Sequence, residues 1–309
     1  DTSVDPEGRD PLKPFNTIDE FETLTEAIFK QVDPELGSQF QTMREEKLLD
    51  LGNRKGKGPG GYCTGFAISK RPFIFQNAVG VDRDIRTLLH EAGHAFHGFA
   101  RYDLPYAQQM QSPMEFNEVA SMAMELLAMP YITKANGGYY DDEQAERSRI
   151  DHLKKIINFW PYMAVVVEFQ HWIYANHDEA TNPANCDAKW LELWGRFMKG
   201  VDFSGYEDFI LNRWRRQQHI FRYPFYYIDY AIAETGAMQL ALLDSHVRGV
   251  DRDSALGGRN WSNYTWHGDQ APGHPFVHGL QTSDEDFNDL RNSQLHIQCG
   301  KNLVENKMP

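Results

Sequence analysis

The spacing of apolar residues predicts a mainly helical chain with one short sheet in its first third. Phe21, Leu24 and Ile28 recur at helical intervals over residues 17–32. Thr17 is placed to cap that helix, and Glu20, three residues on, completes a capping box. A second helix is expected over 35–51. Residues 52–61 are basic and glycine-rich (Arg54, Lys55, Lys57) but lack P-loop spacing, and they read as a flexible turn. Two short strands follow, over 62–68 and 72–79. The second runs straight into a helix that Asp82 or Asp84 can open. Ile85, Leu88, Leu89, Ala92, Ala95 and Phe96 give this helix apolar faces, so it should be buried.

Residues 112–127 form a further helix with Pro113 in its first turn. A polar turn over 133–142 precedes a long helical stretch, 143–176, expected to break at Pro161. Its aromatics Phe159, Trp160, Tyr162, Phe169, Trp172 and Tyr174 suit a core. Helices are also expected over 187–199 and 208–218, and again from about residue 230 to 246. Arg213, Arg215 and Arg216 in the 208–218 helix suit either a peptide carboxylate or a solvated face. From 247 to 309 the chain is polar, without a sustained period, and should be irregular or disordered; His267, His274 and His278 there read as incidental. The expected organisation is therefore one domain over 1–245 and an irregular tail over 246–309.

Composition narrows the function. The 309 residues are 41% hydrophobic and 13% aromatic, enough for a sizeable core, and carry a net charge of −13. So acidic a chain is a poor ligand for nucleic acid or an anionic membrane, and the charge serves solubility. No run approaches the length of a membrane span and no signal-peptide pattern opens the chain. Cys63, Cys186 and Cys299 are odd in number and far apart, which points to a reducing, cytoplasmic setting rather than a disulfide framework. The sequence starts at Asp1, without an initiating Met, and reads as processed or as a piece of a longer protein.

The candidate chemistry lies in the buried helix. His90-Glu91-Ala92-Gly93-His94 is an H-E-x-x-H pattern. Positions four apart share a helix face, so His90 and His94 can aim two imidazoles at one metal ion. Glu91, rotated by about a hundred degrees, is poorly placed to share the ion with both rings but can reach water beside it. Two histidines and a glutamate in a buried helix need partners, and a metal supplies them. A zinc site of this type needs a third ligand and an open fourth position. Glu118, a turn into the 112–127 helix among small and apolar neighbours, is the best candidate. Glu115 lies nearer the helix end and suits a capping or solvated role. Glu125 can either orient one of the histidines or face solvent.

Two other stretches bear on a substrate. The strand over 72–79 sits beside the metal helix, and an extended peptide can add to an open strand edge; Ala78 would lie at its near end, unless the strand is plain support. The run from His219 to Tyr230 is crowded with polar-tipped rings. It makes either an aromatic core or a cleft lining in which hydroxyls and an imidazole steady an oxyanion.

Taken together, these stretches resemble the thimet oligopeptidase and oligoendopeptidase F family of zinc peptidases, and most closely its PZ-peptidase branch. The matching blocks are PGGYC (59–63), PFIFQNAVG (72–80), LLHEAGHAFH (88–97), EFNEVASMAMELL (115–127), FQHWIY (169–174) and HIFRYPFYYIDYAIAETGAMQL (219–240), in the family's order and over roughly residues 10–245. The resemblance implies a mainly α, gluzincin-type metallopeptidase domain, with a short β-sheet beside the active-site helix and a deep channel. It implies one Zn²⁺ per chain held by His90, His94 and Glu118, with Glu91 as general base and His219 and Tyr230 stabilising the tetrahedral intermediate. Tyr227, Tyr223 and Tyr226 match tyrosines near the bound peptide.

The implied activity is endopeptidase cleavage of short, unfolded peptides. Family members run to about twice this length, with an N-terminal helical half that walls the channel. Here a second copy or another partner would have to supply that wall, unless the chain is a fragment. The tail beyond about Leu243 does not follow the family pattern. The competing expectation is a non-catalytic, zinc-stabilised peptide-binding module, or one half of a complex.

Overall fold

The computed structural model describes Asp5, residues 7–110 and residues 112–247. The chain divides into two compact units, Asp1–Ala237 and Met238–Pro309, and the site described below lies wholly in the first. All but the first two residues of the tail expected over 246–309 lie outside the described residues, as do Cys299 and His267, His274 and His278.

The first unit opens with α1 (Ile18–Val32) and α2 (Pro34–Glu45). Thr17 caps α1 as expected, its hydroxyl accepting the Glu20 N–H at 3.1 Å. Helix α2 does not reach residue 51. It ends where Lys47 adopts a positive φ of 58°, and the chain then enters strand β1 (Leu49–Gly52). Strands β2 (Tyr62–Phe66) and β3 (Arg71–Ala78) complete a sheet of order β1-β3-β2, β1 parallel to β3 and β2 antiparallel to it. Residues 46–51 carry no helix breaker, so pairing with β3, Leu49 opposite Ile74, overrides a weak helical pattern.

This topology corrects one expectation. Strand β3 is the central strand, so Ala78 is not on an open edge. Its side chain is buried, it pairs with Gly52, and its carbonyl accepts the Asn53 N–H at 3.2 Å. The edge facing outward on that side belongs to β2, where Tyr62 and Phe66 are exposed.

Helix α3 (Asp82–Arg101) follows after a tight turn at Gly80, φ 93°. Val81 is the N-cap, and Asp84 ties the turn by accepting the N–H groups of Val79, Gly80 and Val81 at 2.8–3.0 Å. Leu88, Leu89, Ala92 and Phe96 face a core built from Phe21, Ile28, Phe29, Phe40, Met43, Leu51 and Ile74. With 3.6 residues per turn, that leaves His90, His94, His97 and Arg101 on the opposite face. Helix α4 (Met114–Leu127) packs on α3.

Helix α5 (Asp142–Ala175) runs through Pro161 without interruption. Tyr162, Met163, Val165, Val166 and Phe169 beyond the proline are buried in a second core with Trp190, Leu193 and Trp194, and this packing offsets the one backbone hydrogen bond that Pro161 cannot make. After α6 (His177–Ala180) and α7 (Pro183–Phe197), the helix expected over 208–218 is divided at Asn212 into α8 (Glu207–Leu211) and α9 (Arg213–Arg216). Its arginines differ: Arg215 and Arg216 are exposed and Arg213 is half-buried. Arg213 lies over the Tyr162 ring, 4.8 Å from its centroid, and Arg215 pairs with Asp187 at 2.7 Å. Short α10 (Gln218–Arg222) and long α11 (Tyr227–Val247) carry the aromatic run.

Candidate active site

Three side chains converge where α3 crosses α4. Among the described residues, His90, His94 and Glu118 form the one group of three whose ligand atoms all lie within 4.8 Å of one another. Glu118 Oε2 stands 3.4 Å from His90 Nε2 and 3.6 Å from His94 Nε2. Ligands at about 2.0–2.1 Å from a tetrahedral zinc ion lie roughly 3.3 Å apart, so the donor set is already close to the shape such an ion requires. Glycine makes the crossing possible: a Cβ on Gly93 would sit 2.5 Å from the Ala120 carbonyl oxygen and 2.6 Å from Ser121 Cα. No other residue lets α4 come near enough for Glu118 to meet both rings.

Buried and half-buried polar groups hold this set in place. Glu125 is not solvated. Its Oε1 lies 2.7 Å from His90 Nδ1, and its Oε2 lies 3.1 Å from His152 Nε2 on α5. Accepting the Nδ1 proton of His90 leaves Nε2 free to face the ion. Glu118 accepts from Ser121 Oγ at 3.1 Å and from Tyr226 Oη at 2.9 Å. The charges are strongly coupled. Burial disfavours the cation at His90, but the Glu118 and Glu125 carboxylates outweigh it and hold the ring up at about 10. Burial and the His90 charge push His94 down to about 4. Glu118 falls to about 2, because His90, His94 and Tyr226 together overcome its burial.

Glu91 is buried beside the two rings and makes no part of the three-atom group. Burial raises its carboxyl to about 7, against the pull of the His90 charge. Gly61 packs beside it: a Cβ there would press on Thr87 Cγ2 at 3.2 Å and stand in ordinary contact with Glu91 Oε1 at 3.8 Å.

The aromatic run reaches the same place. His219, Tyr226 and Tyr230 form a cluster: His219 stacks on Tyr226 and meets Tyr230 edge-on, ring centroids 5.8 Å apart in both cases, and the two tyrosines meet edge-on at 5.0 Å. His219 Nε2 lies 3.4 Å from Tyr230 Oη. The other ring nitrogen, Nδ1, lies 2.7 Å from the amide nitrogen of Gln217, whose oxygen accepts the Tyr162 hydroxyl at 2.8 Å. With its oxygen engaged, the Gln217 amide donates to Nδ1, and the ring proton is left on Nε2.

The four residues expected to line the peptide are thus placed differently from one another. Tyr223 is exposed, 60% of its surface accessible, with its ring 6.2 Å from His219. Tyr226 is bound to Glu118, and Tyr227 is buried at 6% exposure between Tyr162 and His219. Ala78 is sealed in the sheet. Gln217 and His152 carry no signal in the sequence, since one of two adjacent glutamines after a basic run and one of two histidines in a long helix match no pattern.

The profile of peptidase family M3 matches residues 26–245. The chain belongs to this family. It is 26% identical over 242 residues to the oligopeptidase PepF of Bacillus subtilis (strain 168), an alignment covering 75% of this chain and 35% of that protein. With the chromosomal oligoendopeptidase F of Lactococcus lactis subsp. cremoris it shares 24% identity over 262 residues, 80% of this chain and 41% of the other. Its fold is similar to a solved structure of PZ peptidase A with an inhibitor, at a TM-score of 0.69 and 30% identity, covering 90% of this chain and 48% of that one. The mainly helical architecture with a small sheet is thus that of the M3 peptidases. The chain spans less than half the length of each of these relatives.

Proposed function

We propose that the chain is a zinc-dependent endopeptidase acting on short, unfolded peptides. The observation that carries this reading is the meeting of His90, His94 and Glu118 with a separate buried carboxylate, Glu91, left beside them. Two nitrogens and one oxygen suit Zn²⁺ among divalent ions, and a bound ion supplies Lewis acidity that polarises a carbonyl and acidifies water.

The chain's own residues do the rest. Glu91 accepts the proton of the attacking water and hands it to the departing amine. Tyr230 Oη and His219 Nε2–H donate to the carbonyl oxygen as it gains charge, a contribution of about 3 kcal/mol for a well-placed donor. Glu125 holds the His90 ring while this happens. Peptides reach the site in extended form along the open edge of β2, the strand next to Glu91. No helix among the described residues is long and apolar enough to cross a membrane. We place the protein in a reducing, cytoplasmic setting; Cys63 and Cys186, the two cysteines among the described residues, are free thiols.

Glu91→Gln should keep the metal and lose nearly all cleavage of an internally quenched peptide; a fully active variant would refute the mechanism. The second reading is a zinc-stabilised module that binds peptides without cutting them, alone or as half of a complex. It is favoured by one fact, the chain's coverage of only 35% and 41% of its curated relatives. A chelator separates the two: it abolishes cleavage under the first reading, and only lowers the melting temperature under the second.

A further inference from the structure

A cavity of about 270 Å³ opens beside the metal ligands, lined by His94 and Glu118 at one side and by Cys63, Thr64, His97 and Arg101 elsewhere. None of the catalytic steps above uses Arg101. Along α3 it is the continuation of the histidine stripe: positions 90, 94, 97 and 101 fall on one face, and Arg101 lies about 10 Å along the axis from His94. Helical side chains lean toward the N-terminus, which brings the guanidinium back toward the ligands. That span is about three residues of an extended peptide.

Among the described residues no carboxylate pairs with Arg101. Its Nη1 donates to two neutral oxygens, Ser112 Oγ at 3.3 Å and Asn117 Oδ1 at 3.4 Å, both long contacts. The Asn117 oxygen is also shared, because it accepts the Ser112 hydroxyl at 2.7 Å. The arginine is half-buried, and the one acid among the cavity's lining residues, Glu118, is engaged by His90, Ser121 and Tyr226. A guanidinium with five donors, two weak neutral acceptors and an open cavity beside it has the chemistry of a carboxylate receptor.

We propose that this cavity is a specificity subsite in which Arg101 binds a carboxylate of the peptide, from an acidic side chain within about three residues of the scissile bond or from the free C-terminus. The inference rests on the peptidase reading only for the identity of the ligand as a peptide.

Binding is tested in the Glu91→Gln chain, so that turnover does not interfere. Fluorescence anisotropy compares labelled peptides in which a single Glu is moved through the sequence with their Gln twins, and a peptide acid with its amide. One Glu peptide, or the terminal acid, should bind about tenfold tighter than its neutral twin, the range of a charge-assisted hydrogen bond. The advantage should shrink with added salt, vanish in Arg101→Gln and largely survive in Arg101→Lys. A Glu-scan advantage identifies a side-chain carboxylate, and an acid-over-amide advantage identifies the terminus. Equal affinities for every pair, or an advantage that persists in Arg101→Gln, overturns the proposal. Cleavage of the neutral twin by the unsubstituted, zinc-loaded chain is scored separately. Failure there sinks the peptidase reading while leaving the anisotropy result to judge the subsite.

Discussion

Gly93 and Ala120 touch across the α3–α4 crossing so closely that a methyl group on Gly93 would sit 2.5 Å from the Ala120 carbonyl oxygen. The contact is backbone on both sides, so no side chain can rotate away to make room. Gly93 is one residue before His94, and Ala120 is two after Glu118, so the crossing also sets the distance between the proposed metal ligands. Gly93→Ala should therefore push the helices apart and spoil the site. Overpacking of this kind costs about 1–3 kcal/mol. The predicted outcome is a melting temperature lower by several degrees together with substoichiometric zinc by elemental analysis. A Gly93→Ala protein that holds one zinc per chain with unchanged affinity would show that the crossing does not limit the site.

Glu125 ties His90 on α3 to His152 on α5, at 2.7 and 3.1 Å. It does not belong to the proposed ligand group, so it acts through the orientation of His90. Removing such a partner typically costs 10–100-fold in metal affinity. Glu125→Ala should fall in that range in a competition titration against a chromophoric chelator. His152→Ala, which leaves the Glu125–His90 contact in place, should cost less. If the two substitutions weaken zinc equally, the bridge rather than the single contact is what positions the ring. Chelation of the unsubstituted chain should itself lower the melting temperature, since His90, His94 and Glu118 are left without a shared partner.

Much of this arrangement is legible in the sequence, and the misses have physical causes. The helices announced by both a cap and an apolar stripe, such as α1 with Thr17 and Phe21, Leu24 and Ile28, stand where expected, because local and tertiary signals agree. The H-E-x-x-H spacing brings His90 and His94 together because helix geometry alone dictates it, and Glu118 follows from the apolar neighbours that bury it. Strand β1 was hidden because its pairing partner Ile74 is remote in sequence. Ala78 falls on the central strand and not on an edge for a related reason: periodicity reveals a strand but not its place in the sheet. The sequence does not decide between the two roles of Glu125, since its partners His90 and His152 come from two other helices. The role of Tyr226 as a donor to Glu118, rather than as a lining residue, depends on a turn in which Phe225 takes a positive φ of 61°, a conformation bulky residues rarely adopt.

The Tyr162–Gln217–His219 chain gives a test of the oxyanion role that does not alter either proposed donor. Gln217 donates to His219 Nδ1 because its oxygen is occupied by Tyr162. Gln217→Leu removes the donor, frees the imidazole to take the other tautomer, and should lower kcat about tenfold, within the cost of weakening one donor of a pair. KM should change little, since the interaction matters only as charge develops. Tyr230→Phe should likewise lower kcat more than it raises KM. A Gln217→Leu variant whose loss lies wholly in KM would assign His219 to peptide binding instead.

Lys57 turns the glycine-rich segment from an expected flexible turn into an anchored one. Its side chain is 1% exposed, and its ammonium group donates to the carbonyls of Asp50 at 2.8 Å, of Gly52 at 2.9 Å and of Gln76, with the Asp50 carboxylate at 3.1 Å. It thereby staples the loop to β1 and β3, and the loop delivers Gly61 to its place beside Glu91. Lys57→Met keeps the length of the side chain but strips three carbonyls of their donor, and should destabilise by about 2–4 kcal/mol in urea titrations. The same cluster sets an acid limb. Arg54, and behind it Lys57, hold the Asp50 carboxyl down at about 2, below its ordinary value of 3.8. A depressed carboxylate adds stability that is complete above the unfolded value and is lost as pH falls through the folded one. Asp50→Asn should therefore be less stable than the unsubstituted chain at pH 6, and the gap between them should close between about pH 4 and pH 2. A gap that stays constant over that window would mean that the Asp50 charge contributes nothing to holding the loop.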